Sequence, residues 1–164
     1  MSAQTSARLA ASLLVLARKS DLKIACAESC TGGMLSAALT ELAGSSDMFD
    51  RGFITYSNQA KQQMLGVSAQ SLERFGAVSE EVAGEMAAGA LARSNADIAV
   101  SITGIAEPGG SAHKPEGRVC FGLVARGLAP RSETVEFGAL GRAQVREWAT
   151  EHALNLLNSQ LKTS

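Results

Sequence analysis

The stretch Glu28-Ser29-Cys30-Thr31-Gly32-Gly33 constrains this chain more than any other. A short apolar run, Lys23-Ile24-Ala25-Cys26-Ala27, precedes it, and a helical run from Met34 to Leu42 follows. This order reads as strand, tight turn and helix start. The first N–H groups of a helix have no partner inside the helix, and the partial positive charge there attracts anions. Gly32 and Gly33 allow close approach to the backbone. Ser29, Cys30 and Thr31 bring two hydroxyls and a thiol to the same place. A strand-to-helix turn with a Ser/Thr cap and no chemistry has the same local pattern, so the rest of the chain must decide.

Along the chain, Ala3 to Arg18 reads as a helix stopped by Lys19-Ser20-Asp21, and Lys23 to Ala27 as a first strand buried on both faces. Gly33 to Leu42 is a helix ended by Ala43-Gly44-Ser45-Ser46, and Gly52 to Tyr56 is a second strand. Ser57 or Asn58 caps a short helix that carries Lys61 and Met64 and ends at Gly66. Ser68 to Phe75 is another short helix. Ser79 caps a third, rich in Ala and Met, with acidic residues in its first turn and its end at Ala92. Ala96 to Ile102 is a third strand, running into the long loop Thr103 to Gly117. Arg118 to Arg126 and Ser132 to Phe137 have the spacing of an antiparallel hairpin. Gly141 to Asn158 is a closing helix, with Val145, Trp148, Ala149, His152 and Leu156 on or near one face. Strands that alternate with helices and then form a hairpin predict a three-layer α/β/α fold, with a mixed, mostly parallel sheet and a C-terminal hairpin. A single domain spanning 1–164 is expected. Ligands of open α/β sheets bind beyond the carboxyl ends of the strands. The loops after Ala27, Tyr56 and Ile102 are therefore expected to converge.

Composition removes several function classes. The formal net charge is −1 with no block of like charges, which disfavours a nucleic-acid surface or a polybasic membrane patch. Aromatic residues make up only 4%, too few for base-stacking platforms. The apolar segment Leu9 to Ala17 resembles a secretion signal, but Arg18, Lys19, Asp21 and Lys23 separate it from the Ala25-Cys26-Ala27 triplet. It is also too short to span a bilayer. Leu9, Leu13 and Leu16 fall on one helical face, so an amphipathic helix of a cytoplasmic protein is expected. Three cysteines, an odd number, fit a reducing compartment. With two histidines and no Cys-x-x-Cys pair, no metal site is expected.

Six blocks occur in order: Ala27-Glu28-Ser29-Cys30-Thr31-Gly32-Gly33, Thr55-Tyr56-Ser57-Asn58-x-x-Lys61, Gly76-Ala77-Val78-Ser79, Thr103-Gly104-Ile105-Ala106, Pro108-Gly109-Gly110 and Lys114-Pro115. Together they resemble the CinA C-terminal domain family, the bacterial nicotinamide-mononucleotide amidases. The resemblance covers nearly the whole chain. It implies an α/β/α protein that hydrolyses the carboxamide of nicotinamide mononucleotide to nicotinic acid mononucleotide and ammonia. A Ser–Lys dyad would do this without metal or cofactor. Longer relatives carry an additional N-terminal domain, to which no block here corresponds. Carried over residue by residue, Ser29 is the nucleophile and Lys61 the general base, and Tyr56 assists proton transfer or orients the amide. Cys30, Thr31, Gly32, Gly33, Asn58, Thr103, Gly104, Gly109 and Gly110 line the pocket, and Arg142, in Gly141-Arg142-x-x-x-Arg146, meets the phosphate. The resemblance also implies a small-molecule nucleotide as partner and a homo-oligomer. The sequence departs from the family pattern at Glu107 and Ser111, where Gly is usual, and at Glu116-Gly117-Arg118, where Val-Gly-Thr is usual. A carboxylate at Glu107 that points inward would weaken phosphate binding.

The residues by themselves point the same way. A Ser-His-Asp triad needs a histidine held against the serine. His113 lies in a Gly-rich loop and His152 late in the last helix, so neither suits a catalytic base. Lysine takes that role when burial or neighbouring positive charge lowers its pKa. Lys61, one turn into a helix that follows a strand end, is placed for this, although a solvated surface lysine would have the same spacing. Tyr56, the sole tyrosine, has an ordinary alternative as a core-edge residue with a wet hydroxyl. Cys30 offers a thiol nucleophile, since a helix start lowers a thiol pKa, but it lacks a well-placed histidine. Cys26 and Cys120 read as buried structural residues. The loop Thr103 to Gly117, with four glycines and two prolines, is long enough to suggest function. A nucleotide- or phosphate-binding module without hydrolytic activity would show the same glycine loops.

Overall fold

A computed structural model of the chain describes residues 3–111 and 113–163. Five strands form one sheet in the order β2-β1-β3-β4-β5, where β1 is Ile24–Glu28, β2 Phe49–Ile54, β3 Ile98–Gly104, β4 Arg118–Ala125 and β5 Arg131–Glu136. β1 pairs in parallel with β2 and β3, while β4 is antiparallel to both β3 and β5. Only β4 therefore runs against the other four, which is the mixed, mostly parallel sheet with a C-terminal hairpin that the sequence predicts.

Side-chain size decides which helix covers which face. Ile24, Cys26, Ile98, Val100 and Ile102 point to one side. There they meet helices α1 (Ala3–Ser20), α2 (Met34–Thr40) and α6 (Arg142–Lys162) through Leu13, Leu35, Val145, Ala149 and Leu157. Ala25, Ala27 and Ala99 point to the other, where α3 (Asn58–Leu65), α4 (Ala69–Phe75) and α5 (Glu80–Ala92) supply Leu65, Leu72, Val82, Met86 and Ala90. Small residues on that face let α5 approach closely, and the Ser101 hydroxyl donates to the α5 carbonyl of Ala83 at 2.6 Å. All of β1 is buried, which explains its unbroken apolar run.

Some element ends differ from the sequence-based expectation. β2 starts at Phe49, not Gly52, and stops at Ile54, leaving Tyr56 outside the sheet. As an edge strand it exposes Arg51 and Gly52, so its first half lacks an apolar signature. β3 runs on to Gly104 because its antiparallel partner continues, pairing Gly104 with Val119. α2 stops at Thr40 rather than Leu42, and α6 extends to Lys162, its last turns buried through Leu157, Asn158 and Leu161. Ser57, Ser68 and Ser79 cap α3, α4 and α5 by accepting from the N–H three residues on. No helix among the described residues is long and apolar enough to cross a membrane.

Candidate active site

The sheet brings its strand ends together around Ser29. Ser29 N–H donates to the Ile102 carbonyl at 3.0 Å, and Thr55 N–H donates to the Glu28 carbonyl at 2.8 Å. The first bond extends the β1–β3 ladder one residue beyond β1 and the second extends the β1–β2 ladder one residue beyond β2, so Ser29 sits at the joined ends of the three strands. The Ser57 cap then turns the chain into α3, where Lys61 and Leu65 are the two buried residues, one turn apart on the same face. Lys61 thus occupies a core position and is 1% exposed. Its Nζ lies 2.9 Å from Ser29 Oγ and donates to the Thr55 carbonyl at 2.8 Å. Burial disfavours the ammonium form and brings the Lys61 pKa down from 10.5 to about 8.

These groups form the floor of a cavity of about 230 Å³. Of the residues expected at the site, Ser29, Cys30, Tyr56, Asn58, Lys61, Thr103, Gly104 and Arg142 line it. Gly104 permits close approach: a Cβ there would lie 2.8 Å from Val119 and 3.1 Å from the Cys30 sulfur. The Thr103 hydroxyl is turned away, donating to the Ala77 carbonyl at 2.9 Å. At the mouth, Tyr56 is 58% exposed. Its hydroxyl accepts from Arg142 Nη2 at 2.7 Å, not from the Lys61 amine, and Arg142 Nη1 donates to Glu107 at 2.6 Å.

Five expected pocket residues do not line the cavity. Thr31 and Gly33 are turned to Glu28, Gly32 lies on the exposed outer turn, and Gly109 and Gly110 sit further out in the long loop. In that loop Ala112 lies outside the described residues, and Gly109 N–H donates to Glu116 at 3.0 Å. The helix start beyond Ser29 is not open to an anion either, because Glu28 fills it. This fully buried carboxylate accepts from the Thr31 hydroxyl (2.6 Å), the N–H groups of Gly33 (3.2 Å), Leu35 (3.0 Å) and Ser36 (2.9 Å), and the Ser36 hydroxyl (2.7 Å). Gly33, at φ 107°, gives the turn that sends its N–H back to Glu28. Glu28 stands in the motif with no role that its sequence neighbours assign. An acidic residue just ahead of a helix start was the available signal.

Arg146 braces the same turn from α6, donating from Nε to the Cys30 carbonyl at 3.0 Å. The Cys30 thiol is pushed up to about 11 by burial, so it stays protonated near neutral pH. Cys26 and Cys120 are buried, as expected. His113 is exposed on its loop, while His152 packs on Phe121 and contacts Glu133, so neither approaches Ser29. Ala77, Val78, Ile105, Ala106, Glu107 and Ser111 also line the cavity. Ala77, Val78, Ile105 and Ala106 lie in the motif blocks but carry no reactive group, whereas Glu107 and Ser111 are departures from the family pattern, and both face the cavity. No group of three or more His, Cys, Asp or Glu side chains among the described residues is arranged to hold a metal ion.

A family model described as the CinA C-terminal domain matches residues 6–161. A nicotinamide-nucleotide amidohydrolase, PncC, of Enterobacter agglomerans is 59% identical over 104 residues, which is 63% of this chain and 63% of that protein. A CinA-like protein of Chlorobium limicola is 52% identical over 83% of this chain and 33% of its own length. The chain thus spans less than two thirds of each of these curated relatives. Among solved structures, the competence/damage inducible protein CihA of Agrobacterium tumefaciens superposes with a TM-score of 0.92 at 45% identity, covering 96% of each chain. A CinA-superfamily protein of Escherichia coli gives 0.90 at 36% identity, covering 97% of this chain and 93% of that one.

Proposed function

The chain belongs to the CinA C-terminal domain family, and from that membership we propose that it is an amidohydrolase that converts nicotinamide mononucleotide to nicotinic acid mononucleotide and ammonia. One observation carries the reading: a serine hydroxyl and a buried lysine amine 2.9 Å apart on the floor of a cavity. The name of the 59% identical relative supplies the substrate class.

In this mechanism Lys61 acts in its neutral form. With its pKa near 8, a useful fraction of the amine is unprotonated at physiological pH. The Thr55 carbonyl holds one amine N–H, and the lone pair accepts the Ser29 hydroxyl proton. Ser29 Oγ attacks the carboxamide carbon, giving a tetrahedral intermediate. The Lys61 ammonium returns its proton to the nitrogen, ammonia leaves, and an ester remains on Ser29. Water, deprotonated by Lys61, hydrolyses the ester to the carboxylate and restores the serine. Tyr56 and Arg142 stand at the mouth, where Arg142 receives the phosphate of the bound nucleotide.

The test is ammonia release from nicotinamide mononucleotide by the purified protein, followed alongside formation of nicotinic acid mononucleotide. Tight binding of the nucleotide with no ammonia would favour a binding module without hydrolysis.

A further inference from the structure

Lys61 and Arg142 are the two cations among the described residues that line the cavity, and they are in different situations. Lys61 is committed to Ser29 and Thr55 at the floor. Arg142 is left for an anionic ligand group, yet one arm of its guanidinium is already held by the Glu107 carboxylate at 2.6 Å. The other arm is held by Tyr56. Glu107 leaves β3 by the long loop, and Arg142 opens α6, so this ion pair joins two separate elements across the cavity mouth. The Glu107 side chain is 65% exposed and that of Arg142 39%. The Glu107 backbone carbonyl accepts from the Gly110 N–H at 3.1 Å, while its carboxylate has Arg142 as its one hydrogen-bond partner among the described contacts.

We propose that Glu107 is a displaceable counter-ion on Arg142 that sets the specificity of this site for phosphorylated ligands. With Glu107 in place, the mouth offers little net positive charge, and a phosphate binds Arg142 only by taking the position of the carboxylate. Exposed ion pairs are weak, so a dianionic phosphate with several acceptor oxygens can make this exchange. A ligand without the phosphate gains nothing by it. Glu107 therefore lowers the affinity for nucleotides while leaving the site open to them. The inference rests on the amidase reading for its choice of ligand.

The experiment compares the unmodified protein with Glu107→Gln and Glu107→Ala. Nicotinamide mononucleotide and nicotinamide riboside, which lacks the phosphate, are each titrated by calorimetry and assayed for ammonia. Both variants should bind the mononucleotide about threefold to fivefold more tightly, fivefold corresponding to about 1 kcal/mol. Riboside affinity should stay within twofold, so the mononucleotide-to-riboside preference rises, and the gain should shrink as salt is added. An unchanged preference overturns the proposal. Equal weakening of both ligands also overturns it, since Glu107 would then face the nicotinamide ring. Absence of mononucleotide binding in all three proteins overturns it too. Absence of ammonia with the shift in binding intact overturns the amidase reading alone.

Discussion

The floor and the mouth of the cavity use the same kinds of group under opposite physical conditions. At the floor, Ser29 is 8% exposed and Lys61 1%. Desolvation dominates there: it lowers the lysine pKa to about 8 and holds both side chains in one arrangement. At the mouth, Tyr56, Arg142 and Glu107 are joined by equally short contacts, but water reaches all three. Solvent screening makes those contacts exchangeable. A short distance therefore means a fixed reactive pair at the floor and a replaceable partner at the mouth. Floor substitutions should act on kcat and mouth substitutions on KM.

The sharpest way to break this contrast is Ser29→Ala, which should lower kcat by at least about 10⁴-fold with the fold intact by circular dichroism. Cys30→Ala should keep measurable turnover, because its thiol is protonated near neutral pH. If the cysteine substitution were the lethal one, the floor would be a thiol site.

Lys61→Arg and Lys61→Met should each lose about 10²- to 10⁴-fold in kcat, since a guanidinium does not deprotonate and Met has no base. Turnover of the unmodified enzyme should rise with pH on a limb centred near 8. Stability follows with a definite sign. The folded-state pKa lies below the ordinary 10.5, so between about 8 and 10.5 the unfolded chain holds more protons, and stability from this residue rises with pH. Below 8 the buried ammonium costs stability. Lys61→Met should lack that rise, as denaturant melts at several pH values would show.

Glu28→Gln extends the contrast to the turn beside the floor. Its amide would place N–H groups against N–H and O–H donors, and the loss should be roughly 3 kcal/mol, read as a lower denaturation midpoint. Little change would mean that the turn is held chiefly by Arg146. The smallest effect belongs to the mouth. Arg142→Ala should raise KM for the mononucleotide about tenfold or less, with kcat nearly unchanged. A large fall in kcat would show that the mouth takes part in chemistry.

The layered fold was legible because each signal was local. The apolar run ahead of Glu28 reads as a strand buried on both faces, and Ser79 lies beside the helix it caps, while Ser57 and Asn58 are equal candidates by sequence and the structure selects Ser57, which accepts from the Ala60 N–H. Edge strand β2 was misplaced at its start because an edge strand has one less neighbour and so a weaker apolar pattern. At the site, Ser29 stands out through its turn, while the resemblance places Thr31, Gly32 and Gly33 in the pocket at a helix start whose unpaired N–H groups attract an anion. The chain's own carboxylate at Glu28 occupies it.

By itself, the sequence determined the order of strands and helices, the Ser79 cap and the residue types at the strand ends. Those follow from periodicity and turn chemistry within about ten residues. The tertiary structure alone decided that Lys61 is buried against Ser29, that Arg142 is shared by Tyr56 and Glu107, and that Glu28 closes the helix start. The physical reason is that burial, and with it the protonation of Lys61, is set by residues far apart in the chain. By spacing alone a base at Lys61 cannot be told from a solvated surface lysine; β1 decides it by bringing Ser29, 32 positions away, to the Lys61 amine.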